Sequence, residues 1–194
     1  MSGVHPMNPA TTGLKLTYDD FLQFPEDGKR HELIDGEHIV TPTPILRHQL
    51  ISGKLFAAIH QHLQANPLGH VIYAPLDVIL SNYDVVEPDL LFISHARLAS
   101  LEPSHWIKCA PELVVEIGSP STRKRDETVK RHLYERFGVD EYWVVDPDLD
   151  SIKVYRQEGG RYVRVAELTS EQGDTLTTPL LPGLQILLLD VFRE

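Results

Sequence analysis

Cysteine is almost missing from this chain: Cys109 stands alone among 194 residues. An internal disulfide is therefore excluded, and so is a metal cluster built on several thiolates. A single thiol fits a reducing, cytoplasmic setting. Long apolar runs are missing as well, none approaching the ~18 residues that a membrane-spanning helix needs. Met1 to Gly13 lacks the basic-then-apolar pattern of a secretory signal. With Pro6 and Pro9 the first stretch (1–14) reads as a flexible leader ahead of one domain (15–194). Basic charge is in deficit, 18 Lys and Arg against 28 Asp and Glu, for a net charge of −10. That balance excludes a protein that coats nucleic acid nonspecifically, which needs a basic footprint. It does not exclude a carboxylate metal site, which is acidic by construction.

What is present is enough apolar material for a core, 42% of the residues. Thr17 followed by Asp20 predicts a short capped helix. His31 to Val40 holds two short β-type runs around Asp35-Gly36, a tight-hairpin signal, and Pro42 and Pro44 end it. Leu50, Ile51, Leu55, Ala58, Ile59 and Leu63 recur at helical spacing between Leu46 and Leu63. Strands follow at Val71–Ala74, Leu76–Leu80 and Pro88–Ile93. Glu112–Ile117 is β-branched and nearly all apolar, as a strand buried on both faces should be. A helix is expected from about Thr122 to Phe137, closed by Gly138, with Val129, Leu133 and Phe137 as its apolar stripe. Glu141–Asp146 is the next strand, then a hairpin across Glu158–Gly160, then a last apolar strand at Leu184–Leu188. The class is α/β (α+β) with a mixed sheet flanked by helices.

Three carboxylates stand where a charge is costly: Asp89 at a strand start, Glu116 inside its apolar run, and Glu32 in the hairpin. Glu116 in particular needs a partner. A divalent cation held with oxygens from a neighbouring strand would serve, and so would an ion pair with a basic side chain of the next helix.

The ordered segments Glu87-Pro88-Asp89-Leu90-Leu91-Phe92-Ile93, Pro111-Glu112-Leu113-Val114-Val115-Glu116-Ile117-Gly118, Arg125-Asp126 with Lys130 and Tyr134, and Gly138 to Pro147 together resemble the Uma-type restriction endonuclease family of the PD-(D/E)XK nucleases. His31-Glu32-Leu33-Ile34-Asp35-Gly36-Glu37 is similar to that family's N-terminal signature, and the resemblance runs from about Thr17 to Val191. It implies a restriction-endonuclease-like core in which Asp89 and Glu116 hold Mg²⁺ or Mn²⁺, with Glu32 an extra acid. It also implies phosphodiester hydrolysis, in DNA; cutting both strands of a duplex favours two-fold pairing, so a homodimer is expected. The chain departs from the pattern where Gly118 occupies the usual lysine position. Lys130 on the following helix is the substitute candidate, the alternative being that it pairs with Asp126 on an exposed face.

Around these, His48, Ser119, Arg123, Arg125 and Tyr134 are candidates to line the pocket or meet substrate, although a structural histidine and a turn serine are the simpler assignments for the first two. Arg123, Lys124, Arg125, Lys130 and Arg131 form a local basic cluster. Tyr142-Trp143 suits base stacking or the core. Two functions stand at this point: a metal-dependent endonuclease, or a catalytically silent nuclease-fold module for binding nucleic acid or protein. Convergence of Asp89, Glu116 and the Lys130 ammonium favours the first; a solvent-facing Lys130 favours the second.

Overall fold

The computed structural model describes residues 14–25, 27–101, 106–119 and 122–193, so the expected leader, apart from Leu14, lies outside them. Thr17 and Asp20 exchange bonds with each other's backbone amides and cap α1 (Tyr18–Phe21) as expected. β1 (Arg30–Ile34) and β2 (Glu37–Thr41) pair antiparallel across Asp35 and Gly36. Both turn residues have positive φ, 51° and 78°, the left-handed conformation that this hairpin requires. In α2 (Leu46–Ala65) Ile51, Leu55, Ile59 and Leu63 are buried, whereas Leu50 of the expected stripe is exposed.

β3 (Gly69–Tyr73), β4 (Val78–Ser81), β5 (Asp84–Val86) and β6 (Leu90–Ser94) follow, then α3 (His95–Ala99) and β7 (Leu113–Ile117), every residue of which is buried. The long helix is three pieces run together: α4 (Arg123–Arg125), one turn of π-helix (Asp126–Lys130) and α5 (Arg131–Phe137), ended by Gly138 at φ 73°. The wider turn changes the inward face. Val129, expected in the apolar stripe, is 45% exposed, and Asp126, Lys130, Leu133 and Tyr134 are the buried residues. β8 (Glu141–Asp146), β9 (Ser151–Glu158) and β10 (Arg161–Thr169) continue the chain. Where one last strand is expected, β11 (Thr175–Leu176) and β12 (Ile186–Leu187) form a small pair that leads into α6 (Leu188–Phe192).

A six-stranded mixed sheet, ordered β10-β9-β8-β7-β6-β3, is the centre, and a four-stranded sheet, β2-β1-β5-β4, stands beside it. Only β7 and β8 are parallel in the large sheet, and the long helix is the crossover between them. One sheet face packs Leu90, Phe92, Leu113, Val115 and Trp143 against α2 and the C-terminal segment. The other packs Leu91, Val114, Tyr142 and Val144 against Leu133 and Tyr134 of α5 and Val86 of the small sheet. Among the described residues no helix is long and apolar enough to cross a membrane.

Candidate active site

Antiparallel register sets the first pair. Leu90 faces Val115 across β6 and β7, so Asp89 and Glu116, one step further along each strand, stand opposite each other on the same face. Both are 3% exposed. The segment Glu87-Pro88-Asp89 links β5 of the small sheet to β6 of the large one, which brings β1 alongside. Glu32 of β1 is thereby buried and accepts the Glu87 amide N–H at 3.1 Å.

From the opposite side the helix contributes Lys130, also 3% exposed. Its ammonium donates to Glu116 Oε1 at 2.9 Å and lies 2.8 Å from Glu32 Oε1. Tyr134, one turn on, donates its hydroxyl to the same Glu116 oxygen at 2.7 Å. The exposed pairing of Lys130 with Asp126 is thus overturned: burying an ammonium demands carboxylate partners, and the strands supply two. Asp126 is buried too, and its backbone carbonyl accepts the Tyr142 hydroxyl at 3.1 Å. π turns recur where a helix must aim side chains at a site; here the turn carries both Asp126 and Lys130 inward.

Asp89 is held on both oxygens. Arg30 donates to Oδ1 at 2.5 Å, while Oδ2 accepts the Ile117 amide at 2.7 Å and meets His48 Nε2 at 3.1 Å. Burial alone would raise the Asp89 carboxyl, but the bonds from His48 and Ile117 and the Arg30 charge bring it below its ordinary value. Glu116 goes the other way. Burial first, then the neighbouring Asp126, Asp89 and Glu32, push it up to about 8 against the pull of Lys130. Burial also acts to lower the Lys130 ammonium, yet Glu116, Glu32 and Asp126 outweigh it and hold the lysine above its usual value. Glu87, with Arg30 Nε 2.9 Å away, is raised by burial to about 7.

Arg30, Glu32, His48, Asp89, Glu116, Asp126 and Lys130 line a cavity of about 210 Å³, together with Thr41 to Ile45, Ser119, Thr122 and Arg125. Of the expected pocket residues His48, Ser119 and Arg125 reach it; Arg125 donates to Thr41 Oγ1 at 3.0 Å and Ser119 bonds Thr122. Arg123 does not, because it is turned to Asp146 and Asp148 at 2.8 and 2.6 Å. Tyr134 lies behind the cavity wall rather than in it. Base stacking by Tyr142 and Trp143 is ruled out, since both are fully buried. Of the basic cluster, Lys130 is internal and Arg123 is neutralised, so less positive surface remains than its composition promises. Arg30 and Asp126 are the site residues that sequence patterning does not single out. The one available signal for Asp126 is polar spacing, Asp126, Lys130 and Tyr134 each a helical turn apart.

Among the described residues no three His, Cys, Asp or Glu side chains are arranged to hold a metal ion. The donor set nevertheless suits a hard cation. Asp89 and Glu116 face one cavity, both protein donors to Glu116 land on Oε1, and carboxylate oxygens have lone pairs to spare. Mg²⁺ in particular is commonly held by one or two carboxylates, with waters and phosphate oxygens completing its shell.

Comparison with known proteins fits this geometry. The family model Uma2, described as "Putative restriction endonuclease", matches residues 18–191. A crystal structure described as "a putative nuclease belonging to DUF820", from Anabaena variabilis ATCC 29413, superposes with a TM-score of 0.77 at 23% identity, covering 91% of this chain and 97% of that one. No curated protein matches the sequence.

Proposed function

This chain belongs to the Uma2 family of restriction endonuclease-like proteins, and we propose that it is a Mg²⁺- or Mn²⁺-dependent endonuclease that hydrolyses phosphodiester bonds in DNA. What supports the reading is one observation: Asp89, Glu116, Glu32 and the Lys130 ammonium converge on a single cavity. Gly118 in the usual lysine position is consistent with it. A Cβ there would lie 3.3 Å from the Val145 carbonyl oxygen, too tight for comfort, and Lys130 brings an ammonium to Glu116 from the helix instead.

In this reading Asp89 and Glu116 hold the cation, which supplies Lewis acidity and lowers the pKa of a bound water. Arg30 and the Ile117 amide fix the Asp89 carboxylate, so its oxygens do not reorganise during the reaction. Lys130 and Tyr134 fix Glu116 through Oε1 and leave Oε2 turned to other use. Lys130 also offsets negative charge that builds on the phosphate, while Glu32 keeps the ammonium in place. Cutting both strands of a duplex calls for a two-fold pair of chains.

Nicking of supercoiled plasmid with Mg²⁺ or Mn²⁺ tests the proposal. Wild type is expected to nick, and Asp89→Ala, Glu116→Ala and Lys130→Ala each to lose roughly 100-fold or more. Equal rates in all four proteins, or no nicking by wild type in either metal, would move the assignment to a silent binding module.

A further inference from the structure

On the far side of Asp89 lies a second cavity, about 470 Å³, lined by Arg30, Gln49, Ser52, Gly53, Phe56, Tyr73, Ala74 and Asp89. Arg30 and Asp89 line both cavities, so the two are neighbours across one salt bridge. Its outer wall is Tyr73, at the end of β3, a residue 60% exposed whose ring rests edge-on against Phe56 at 5.0 Å between centroids. The next residue ties this wall to the site, since the Ala74 amide donates to the Asp89 carbonyl at 3.1 Å.

The floor is one face of α2, with Gln49, Ser52, Gly53 and Phe56 at positions i, i+3, i+4 and i+7. Gly53 is the telling residue. Glycine inside a helix is disfavoured relative to alanine, so it is expected where packing forbids a side chain. Here a Cβ would meet nothing within 4 Å. Gly53 is exposed, and among the described residues no neighbour crowds it, so the slot is open above it to a flat group.

We propose that this slot seats an unpaired nucleobase stacked on Tyr73, belonging to the strand whose phosphate is held beside Asp89. The inference rests on the nuclease reading of the adjoining cavity and narrows its substrate class. An exposed aromatic ring is a surface on which bases stack with little sequence preference, and Gln49 adds an amide for a base edge. A base inside a duplex has both faces covered by its neighbours. The strand that uses this slot is therefore single-stranded, or has the base turned out of the helix.

The test compares binding of a dye-labelled single-stranded DNA oligonucleotide with that of an abasic strand of equal length, by fluorescence anisotropy without divalent metal. Wild type is expected to prefer the strand with bases by about tenfold or more. Tyr73→Ala should remove most of that preference and Tyr73→Trp retain it. Gly53→Leu should remove it as well while keeping or raising Tm, which separates a filled slot from a damaged fold. An undiminished preference in Tyr73→Ala and Gly53→Leu, or no preference in wild type, would overturn the slot. Plasmid nicking by the same proteins separates the two ideas: metal-dependent nicking without base preference sinks only the slot, and loss of both sinks the nuclease reading beneath it.

Discussion

Take the ammonium away from Lys130 and two carboxylates are left facing each other in the interior. Lys130→Met keeps the length of the stem but strands Glu116 and Glu32. Removing one partner of a buried ion pair typically costs about 3–5 kcal/mol. The cost is expected to be largest near pH 8 and to shrink towards pH 5, where the raised Glu116 carboxyl holds a proton. Urea unfolding at the two pH values measures it, and a pH-independent loss under 1 kcal/mol, that being roughly the surface-pair range, would place the lysine outside the network. Adding Glu116→Gln and Glu32→Gln to Lys130→Met should recover much of the loss, because no unpaired charge then remains.

Glu116 makes a second residue-scale prediction. Its carboxyl is raised from 4.5 to about 8, so the folded chain keeps a proton that the unfolded chain releases. The stability tied to that proton is complete below pH 4.5 and is lost as the pH climbs to 8. Glu87, raised to about 7, adds to the same loss. Tm should therefore fall between pH 5 and 8 in the absence of divalent metal, and Glu116→Gln should flatten the fall. If Glu116 is a ligand, Mg²⁺ competes with the proton and raises Tm more at pH 8 than at pH 6. Equal Mg²⁺ shifts at both pH values would count against Glu116 as a ligand.

At the scale of elements the π turn decides which side chains face inward. Leu133→Ala should cost about 2–5 kcal/mol as a core truncation, whereas Val129→Ala, on the exposed side, should stay within about 0.5 kcal/mol. Deleting Val129 is the sharper experiment. It would convert the wide turn to an ordinary α-helical one, keep the Lys130-to-Tyr134 spacing, and rotate Asp126 relative to Lys130 within the inward face. The expected result is a folded protein by circular dichroism with nicking down roughly 100-fold, the scale of a small misplacement in a catalytic site. Unchanged nicking would show that Asp126 and the turn are incidental.

The same element explains what was legible in the sequence. The hairpin at Asp35-Gly36, the buried strand β7, the helix stop at Gly138 and the pair Asp89 and Glu116 all follow from local chemistry with short memory: turn residues, apolar runs, a charge out of place. β5 escapes because three residues are too few to show an alternation. The exposure of Val129 escapes because helical periodicity assumes 3.6 residues per turn, and the π turn breaks that count midway. Arg30 escapes for a third reason: its partners, Glu87 and Asp89, are distant in sequence and meet it only when the two sheets come together.

For the whole molecule the tension is between a net charge of −10 and the proposed polyanionic substrate. The fold resolves it locally. The cations that line the cavities are Lys130 in the first, Arg30 between it and the second, and Arg125 and Lys124 where the first meets a third, near Ile34 and Val129. Of the rest of the basic cluster, Arg123 is paired with Asp146 and Asp148, and Arg131 donates to the Glu127 carbonyl and lies over the Tyr155 ring. Two or three phosphates engaged by these side chains would release few counterions, giving a log K against log salt slope of about −2 for a single strand. Titration of single-stranded DNA binding across KCl concentrations measures that slope directly. A slope near zero would mean that no phosphate is held. One steeper than about −5 would require a wider basic surface, and a track confined to the site would then be the wrong account of the proposed DNA binding.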